Sequence, residues 1–242
     1  MNSQKKTEKE QKSSSKVCPF CGGTTWIQKK QNKSQPVMSR CTCYEMKKVQ
    51  DIWNQSDIEF KNLDKTLKSF ECFNQTTKNM KDTATNYLLR FKNICSSENN
   101  SIMFCGTPGS GKTHLLLAVS LNLLKKEKIG VVYMSYVEVI TKLKQAAMQP
   151  EEYQRLINKY KNAKVLFIDD LFKGKITESD IRIIFEIVNF RINKKLPMMV
   201  STEFNIDRLL EFDAAIASRL YKASKGFYLE INGQENNYRM RS

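Results

Sequence analysis

The chain has 242 residues, of which 40% are apolar and 27% are charged, a length that suits one domain of ordinary size plus a smaller module. No stretch approaches the roughly 18 consecutive apolar residues of a transmembrane helix, and the polar, basic N-terminus does not resemble a secretory signal, so we expect a cytoplasmic protein that does not use a membrane. Forty Lys and Arg residues against 25 Asp and Glu residues give a net charge of +15, spread over both halves of the chain, which favours nucleic acid as a partner.

The first quarter of the chain differs in composition from the rest. Residues 1–16 are rich in Lys, Glu, Gln and Ser and are predicted to be disordered. Residues 17–60 contain a cysteine cluster and are predicted to form a separate module. Residues 61–242 are predicted to form the main domain, and the spacing of Tyr87, Leu88 and Phe91 indicates a helix near its start.

From residue 101 onwards, short apolar runs alternate with longer helical patterns. The apolar runs are Ile102–Cys105, Val131–Ser135, Val165–Ile168, Met198–Ser201 and Phe227–Ile231. The helical patterns between them are Thr113–Lys126, Val137–Ala147, Ser179–Lys195 and Ile206–Leu220, while the polar residues 146–162 fit a helix or a loop. Continuous apolar strands separated by helices predict a three-layer α/β/α domain with a parallel sheet.

A glycine-rich segment directly follows the first of these runs. Residues 106–113 match the pattern G-x-x-x-x-G-K-[ST] between a predicted strand and a predicted helix. Such glycines let backbone N–H groups cradle a phosphate chain at a helix N-terminus. Lys112 would reach the β- and γ-phosphates, and Thr113 would ligate Mg²⁺. The predicted nucleotide-binding residues are Gly106, Thr107, Pro108, Gly109, Ser110, Gly111, Lys112, Thr113 and His114.

Two adjacent carboxylates follow the third apolar run. Asp169 and Asp170 stand at the C-terminal end of a predicted strand, the edge at which open α/β sheets bind ligands. Asp169 would hold Mg²⁺, and Asp170 would orient the attacking water. Because Asp is shorter than the Glu often used for this task, we expect slow, switch-like hydrolysis. A turn or a helix cap is the structural alternative for the pair.

Further along the chain, Thr202 and Arg219 are additional candidates for the catalytic site. Thr202 follows the strand predicted at 198–201, where it would contact the γ-phosphate or the water, or else cap the next helix. Arg219 lies near the end of a helical pattern. It would serve as an arginine finger on a neighbouring subunit's nucleotide, or lie on the surface where the helix dipole favours it.

Four of the seven cysteines form the pattern C-x₂-C followed by C-x-C, at Cys18, Cys21, Cys41 and Cys43. The odd total argues against a disulfide framework. Since the only histidine, His114, belongs to the phosphate-loop segment, a four-ligand zinc site must use all four cysteines. Few large apolar residues accompany them, so the module is predicted to need the metal in order to fold. Free thiols and a redox role are the alternatives.

In combination, the motifs resemble one family. They are the phosphate loop followed by His-Leu, the Asp-Asp pair, Ser-Thr-Glu-Phe at 201–204, Ala-Ile-Ala-Ser-Arg at 215–219 and Asn-Tyr-Arg-Met-Arg at 237–241. Most of residues 65–242 resembles the DnaC/DnaI-type replicative helicase loaders of bacteria and phages. These loaders are AAA+ ATPases related to IstB-like transposition helpers, and they carry a Cys-rich N-terminal module of this kind.

The resemblance implies an ATP-dependent loader. Its N-terminal module would bind the replicative helicase, and its ATPase domain would self-associate, bind single-stranded DNA and help to place the helicase ring on it. The implied roles are ATP and Mg²⁺ binding for Lys112 and Thr113, the acidic pair for Asp169 and Asp170, the sensor for Thr202, the finger in trans for Arg219, and proximity to adenine for residues 70–74. A C-terminal helical lid is expected to be absent, because 11 residues follow Ile231.

Several alternatives remain open at this stage. An IstB-like helper would act on duplex DNA together with a transposase. A small-molecule kinase would need an arginine-bearing lid, and Arg182 and Arg191 are the only arginines between Arg155 and Arg208. A zinc-dependent adaptor would leave its ATP site unused. Residues that would line a basic DNA channel, or else lie on a solvated helix face, are Tyr136, Lys142, Lys144, Lys173 and Lys175.

Overall fold

The computed structural model describes residues 18–29, 37–59 and 62–240, apart from the side chains of Lys29, Glu45 and Val49. The predicted disordered tail, residues 1–16, lies outside these ranges. The chain divides into two compact units after Gln50. We had predicted a border after residue 60, whereas Ile52 and Ile58 pack into a core of the second unit.

The first unit contains a two-stranded antiparallel ribbon and the start of a helix. Strand β1 spans Trp26–Lys29 and strand β2 spans Val37–Arg40, with Trp26 opposite Arg40. Helix α1, Thr42–Asn54, begins in this unit and continues into the next.

The second unit is built on a five-stranded sheet in which every pairing is parallel, as predicted. Its strands are β3 (Ile102–Gly106), β4 (Val131–Ser135), β5 (Val165–Asp169), β6 (Met198–Ser201) and β7 (Tyr228–Ile231), in the order β4-β5-β6-β3-β7. All residues of β3, β5 and β6 are buried, which explains their uninterrupted apolar sequences. Each strand begins and ends within one residue of its predicted run.

Helices cover both faces of this sheet. They are α2 (Gln75–Ile94), α3 (Lys112–Lys125), α4 (Tyr136–Gln145), α5 (Pro150–Asn162), α6 (Glu178–Asn193), α7 (Ile206–Phe212) and α8 (Ala214–Ala223). One core packs α2 and α3 against the sheet, and a second core packs α4, α5, α6 and α8 against it. Capping boxes at Asn74 and Thr177 fix the starts of α2 and α6. The second unit is therefore the predicted three-layer α/β/α domain.

The structure differs from the sequence prediction in one helix and resolves an open alternative in another. The helix predicted over Ile206–Leu220 is two helices, because Asp213 is extended and its side chain accepts a hydrogen bond from the Ile216 amide at 2.7 Å. The polar residues 146–162 form a 3₁₀ turn followed by α5, whose first residue is Pro150.

After β7, the described residues form two 3₁₀ turns, Gln234–Asn236 and Tyr238–Met240. None of the helices in the described ranges combines the length and hydropathy needed to cross a bilayer.

Candidate functional site

A cavity of about 480 Å³ opens beside the start of α3. The phosphate-loop segment, the chain before α2 and the chain after β7 all contribute to its wall. Its lining residues are Asn62, Lys65, Ser69, Phe70, Glu71, Phe73, Gly109, Ser110, Gly111, Lys112, Thr113, His114, Leu117, Asp170, Lys173, Glu203, Tyr238 and Arg239. Six of the nine predicted nucleotide-binding residues therefore lie on this wall. Gly106, Thr107 and Pro108 form the first part of the same loop.

The loop has the backbone conformation that a phosphate cradle needs. Gly106, Gly109 and Gly111 have φ angles of 98°, 72° and 90°, in the region that favours glycine. Lys112 is 4% exposed, and its Nζ donates to the carbonyl oxygens of Gly106 at 2.7 Å and Thr107 at 2.8 Å. Burial lowers the pKa of Lys112, against the influence of the nearby carboxylates. These two hydrogen bonds use two of the three ammonium protons, which leaves the third for an anion entering the loop.

We expect Gly106→Ala to lower the free energy of unfolding by about 3 kcal/mol, through backbone strain and overpacking. A Cβ at this position would lie 2.1 Å from the Ile231 carbonyl oxygen, and the φ of 98° is unfavourable for alanine. Urea unfolding measures the loss. Gly130→Ala, at a glycine with open space around its Cβ, is the control. Equal stability of the two variants would contradict the expectation.

The carboxylate of Asp169 lies at the centre of a hydrogen-bond network. Its Oδ1 accepts from the hydroxyls of Thr113, at 2.8 Å, and Ser201, and its Oδ2 accepts from the Tyr133 hydroxyl at 2.8 Å. Burial raises the pKa of Asp169, and these three hydrogen bonds oppose that rise. The two predicted Mg²⁺ ligands, Thr113 and Asp169, are therefore in direct contact, and both offer the oxygen atoms that Mg²⁺ prefers.

Sequence reasoning missed Tyr133 and Ser201. Ser201 ends β6 and Tyr133 lies in β4, the strands on either side of β5, which ends at Asp169. The position of Ser201 at the carboxyl end of an apolar run was a usable signal. Tyr133 gave none, because an aromatic residue in a strand is ordinarily a core residue.

We expect Asp169→Asn to abolish catalysis while leaving the melting temperature of the nucleotide-free protein at pH 7 unchanged or higher. The amide oxygen can still accept from Thr113 and Ser201, and the Tyr133 hydroxyl can accept from the amide nitrogen. Because the pKa is raised on folding, the folded state binds more protons than the unfolded state above pH ~4, so the carboxylate costs stability as the pH rises. The neutral amide removes this cost.

Calorimetry of Asp169→Asn at pH 5 and pH 7 tests this reasoning. The gain in melting temperature over the parent protein should be larger at pH 7. A variant that melts several degrees below the parent at pH 7 would show that the network needs the charge.

The second acidic residue has different surroundings. Asp170 adopts a φ of 55°, and its amide donates to the Ser201 hydroxyl at 2.9 Å. Its carboxylate pairs with Lys173 at 2.7 Å, and Lys173 also pairs with Glu203 at 3.2 Å. All three side chains line the cavity. Lys173, which the sequence suggested for a DNA channel, is occupied here by two carboxylates.

Thr202 and Arg219 lie outside the cavity wall. The buried Thr202 hydroxyl donates to the Leu171 carbonyl oxygen at 3.0 Å, and the cap of α7 is Asn205 instead. Arg219, on α8, donates to the Ala215 carbonyl oxygen at 3.0 Å, and its guanidinium lies 5.3 Å from the centre of the Phe185 ring. Asp169 is also absent from the lining, but it accepts a hydrogen bond from Thr113, which is part of the wall together with Lys112. Thr202 and Arg219 have no such side-chain link to the wall, and their predicted roles stay predictions.

Aromatic side chains line the part of the cavity formed by the chain before α2 and after β7. Phe70 packs edge-on against His114, whose Nε2 lies 3.0 Å from the Thr66 carbonyl oxygen. The ring centres of Phe73 and Tyr238 are 6.1 Å apart. Phe70 and Phe73, from the segment expected near the adenine, therefore lie on the wall, and His114 contacts the chain before α2.

The segment after β7 is part of the same wall. The Tyr238 amide donates to the Gly109 carbonyl oxygen at 3.1 Å, and Asn74 donates to the Asn236 side chain at 2.8 Å. A Cβ on Gly109 would come within 2.0 Å of Asn237 Oδ1. The segment therefore contacts both the phosphate loop and the cap of α2, which the polar sequence after β7 did not reveal.

Other predicted binding residues have structural partners. Arg191, a candidate for a kinase lid, is fully buried and donates to the carbonyl oxygens of Tyr160, Lys161, Ala163 and Pro197. Lys144 pairs with the buried Asp180. Tyr136 is 3% exposed. These three side chains are held by the domain's own structure, so they do not supply a lid or a channel.

The four N-terminal cysteines form a compact cluster in the first unit. Their sulfur atoms all lie within 4.8 Å of one another, with 3.8 Å between Cys18 and Cys41 and 3.4 Å between Cys21 and Cys43. A tetrahedral zinc site with Zn–S bonds of about 2.3 Å has sulfur atoms about 3.8 Å apart. The positive φ angles of Gly22 and Gly23 supply the tight turn after the first pair. The donor set and its spacing thus fit a zinc ion.

Hydrogen bonding shifts the pKa values of two of these thiols in opposite directions. The backbone amides of Phe20 and Cys21 lower the pKa of Cys18 to about 7. Hydrogen bonding to Cys21 raises the pKa of Cys43 to about 12. Cys18 is therefore the more readily deprotonated of the two, and zinc binds the thiolate form.

Comparison with known sequences places these features in a family. The model of the bacterial DnaA ATPase domain matches residues 63–225. The PBSX phage-like element protein XkdC of Bacillus subtilis is 32% identical over 84% of this chain and 79% of its own length. The uncharacterised B. subtilis protein YqaM is 31% identical over 80% of this chain, and the Escherichia coli replicative helicase loader DnaC is 26% identical over 67%. These matches span 63% and 64% of the lengths of YqaM and DnaC.

Solved structures share the fold. DnaI superposes with a TM-score of 0.60 and 20% identity, covering 75% of this chain and 95% of DnaI. The DnaC helicase loader superposes with a TM-score of 0.58 and 21% identity, covering 72% of this chain and all of that structure. The chain therefore belongs to the family of the bacterial DnaA ATPase domain, and its predicted resemblance to DnaC/DnaI-type AAA+ ATPases is confirmed.

Proposed function

We propose that this chain is an ATP-dependent loader that binds a replicative DNA helicase and places it on single-stranded DNA. The observation that carries the proposal is the cavity beside α3, in which the buried Lys112 and Thr113 meet a cradle of glycines with positive φ. Behind this wall, the Thr113 hydroxyl donates to Asp169. The match to the loader DnaC supports the choice of substrate class.

Different residues of the cavity would bind different parts of ATP. The amides of Gly109 to Thr113 and the Lys112 ammonium would hold the phosphates, while Phe70, Phe73 and Tyr238 would lie beside the base. Thr113 and Asp169 would hold Mg²⁺, which would offset the negative charge of the phosphates.

Asp170 is the residue proposed to orient the attacking water. Its ion pair with Lys173 competes with this task, which adds a second reason for slow hydrolysis besides the short side chain. We propose that the protein works as a switch, with unassisted turnover below roughly ten per second, the median for enzymes. Steady-state phosphate release from the purified protein measures it, and faster unassisted turnover would contradict the switch.

Arg219 is proposed to act on the nucleotide of a neighbouring copy. Its absence from the wall of its own cavity and its partial exposure on α8 support action in trans. Thr202 is proposed as the sensor on the strand beside the phosphate loop. The β6–β3 pairing that brings its amide to the Phe104 carbonyl oxygen at 3.1 Å supports this place in the domain.

We further propose that the first unit carries a structural zinc ion on Cys18, Cys21, Cys41 and Cys43 and that this unit binds the helicase. Co-purification tests the proposal: the full chain and a variant without residues 1–41, which keeps α1 whole, are each mixed with the replicative helicase of the host. The full chain should capture the helicase and the shortened chain should not. Equal capture would contradict the assignment of the first unit.

The alternative, an IstB-like helper of a transposase, makes a different prediction. Such a helper would bind duplex DNA in the presence of ATP, whereas a loader needs single strands. Competition between duplex and single-stranded oligonucleotides for the ATP-bound protein distinguishes the two functions.

A further inference from the structure

The ribbon of the first unit exposes an unusual set of side chains on one face. Paired residues of antiparallel strands share a face, so Trp26 lies beside Arg40, and Gln28 lies beside Met38. Trp26 is 41% exposed and Met38 is 57% exposed. Large apolar side chains grouped in this way on a short ribbon are typical of a binding surface. We call these four residues the ribbon face.

The guanidinium of Arg40 lies over two aromatic rings of the first unit. Its guanidinium carbon lies 3.9 Å from the centre of the Trp26 ring and 4.4 Å from the centre of the Tyr44 ring. One guanidinium nitrogen donates to the Thr25 hydroxyl at 3.1 Å. No carboxylate among the described side chains forms an ion pair with Arg40, and the ribbon face presents its guanidinium next to an exposed indole.

The charge of the first unit identifies the kind of partner. Residues 1–50 contain eleven Lys and Arg residues against three Asp and Glu residues, a net charge of +8. The other 192 residues together contribute +7. Lys47 and Lys48 of α1 are exposed in the same unit as the ribbon face. More than half of the protein's net charge therefore belongs to a fifth of its length, which favours a polyanion over an ordinary protein surface.

We propose that the ribbon face binds single-stranded nucleic acid, with bases stacking on Trp26 and Arg40 and backbone phosphates meeting lysines of the same unit, Lys47 and Lys48 among them. Aromatic rings and guanidinium planes are the stacking partners that unpaired bases use, and a basic surround tracks the backbone. Duplex bases are already stacked and cannot reach such a platform. This site goes beyond the proposed function, in which the ATPase domain contacts DNA and the first unit contacts protein.

The two tryptophans of the chain allow a direct test. Trp53→Phe leaves Trp26 as the sole indole, and oligo(dT) of 15 nucleotides is titrated into the full chain without ATP. We expect saturable quenching of the Trp26 fluorescence, with an affinity that falls as salt is added. The matched protein Trp26→Phe, which retains Trp53, should show no quenching. Oligo(U) of the same length distinguishes DNA from RNA as the better ligand.

Substitutions of Arg40 distinguish the effect of base stacking on affinity from the effect of positive charge alone. Arg40→Ala should weaken binding about tenfold or more, and Arg40→Lys should lie between it and the parent protein, since lysine keeps the charge and loses the plane. The control Arg182→Ala removes the same charge from a side chain that is 81% exposed on the second unit, and its affinity should be unchanged. Zinc content and the melting profile confirm that each variant is folded.

Two results would overturn the proposal. One is an unchanged Trp26 emission at saturating oligonucleotide. The other is an equal loss of affinity in Arg40→Ala and Arg182→Ala. If the emission stays constant while Arg40→Ala loses capture of the helicase, the ribbon face is a protein-docking surface instead.

Discussion

Lys112→Ala is expected to reduce ATP hydrolysis by about 100-fold or more, the loss typical when a preorganised charge at the reacting phosphates is removed. Its ammonium is buried between the carbonyl oxygens of Gly106 and Thr107, so no other cation of the loop can replace it. Hydrolysis is measured by phosphate release. Binding is measured by calorimetry with ADP, which should show no heat for the variant.

Lys125→Ala is the control for this substitution, because Lys125 is an exposed residue in the last turn of the same helix, α3. It should hydrolyse ATP at the parent rate. The melting temperature of Lys112→Ala should not fall, since burial already lowers the pKa of Lys112 and the substitution removes a buried charge. Normal ADP binding by Lys112→Ala would refute the proposed phosphate site.

Cys41→Ser is expected to release the zinc ion and unfold the first unit while the second unit keeps its melting temperature. Cys41 is 1% exposed, and the described residues of this unit offer little other buried apolar surface. Structural zinc supplies on the order of 10 kcal/mol to the folding of such small modules, more than most single substitutions remove. Metal analysis should fall from one equivalent of zinc to almost none, and brief proteolysis should cleave within the first unit only.

Cys72→Ser provides the matched control, since Cys72 is an exposed free thiol of the second unit. It should keep its zinc and its resistance to protease. If the parent protein holds less than half an equivalent of zinc and Cys41→Ser folds normally, then the cluster is a set of free thiols.

The sheet was predictable from the sequence because burial dictates it. Strands β3, β5 and β6 are covered on both faces, so each is a continuous apolar run whose ends are visible. The phosphate loop was predictable for a related reason: the conformations of its glycines are needed whatever the rest of the fold. Both features leave a signal within a short stretch of sequence.

Contacts that depend on strand order were not predictable in this way. Tyr133 and Ser201 reach Asp169 only because β4 and β6 flank β5, an order that apolar runs do not encode. The break at Asp213 was missed because the helical periodicity of the sequence continues through it. The side-chain cap that Asp213 provides for α8 outweighs that periodicity.

The short segment after β7 offers a place for a fluorescent reporter of nucleotide binding outside the cavity. Arg239 belongs to the cavity wall, and the next residue, Met240, is 71% exposed. A thiol-directed fluorophore on Met240→Cys would therefore sit one residue from the cavity wall, in a background where Cys72 and Cys95 are replaced by serine. Its emission would give ATP and ADP affinities in a titration that requires neither hydrolysis nor a helicase.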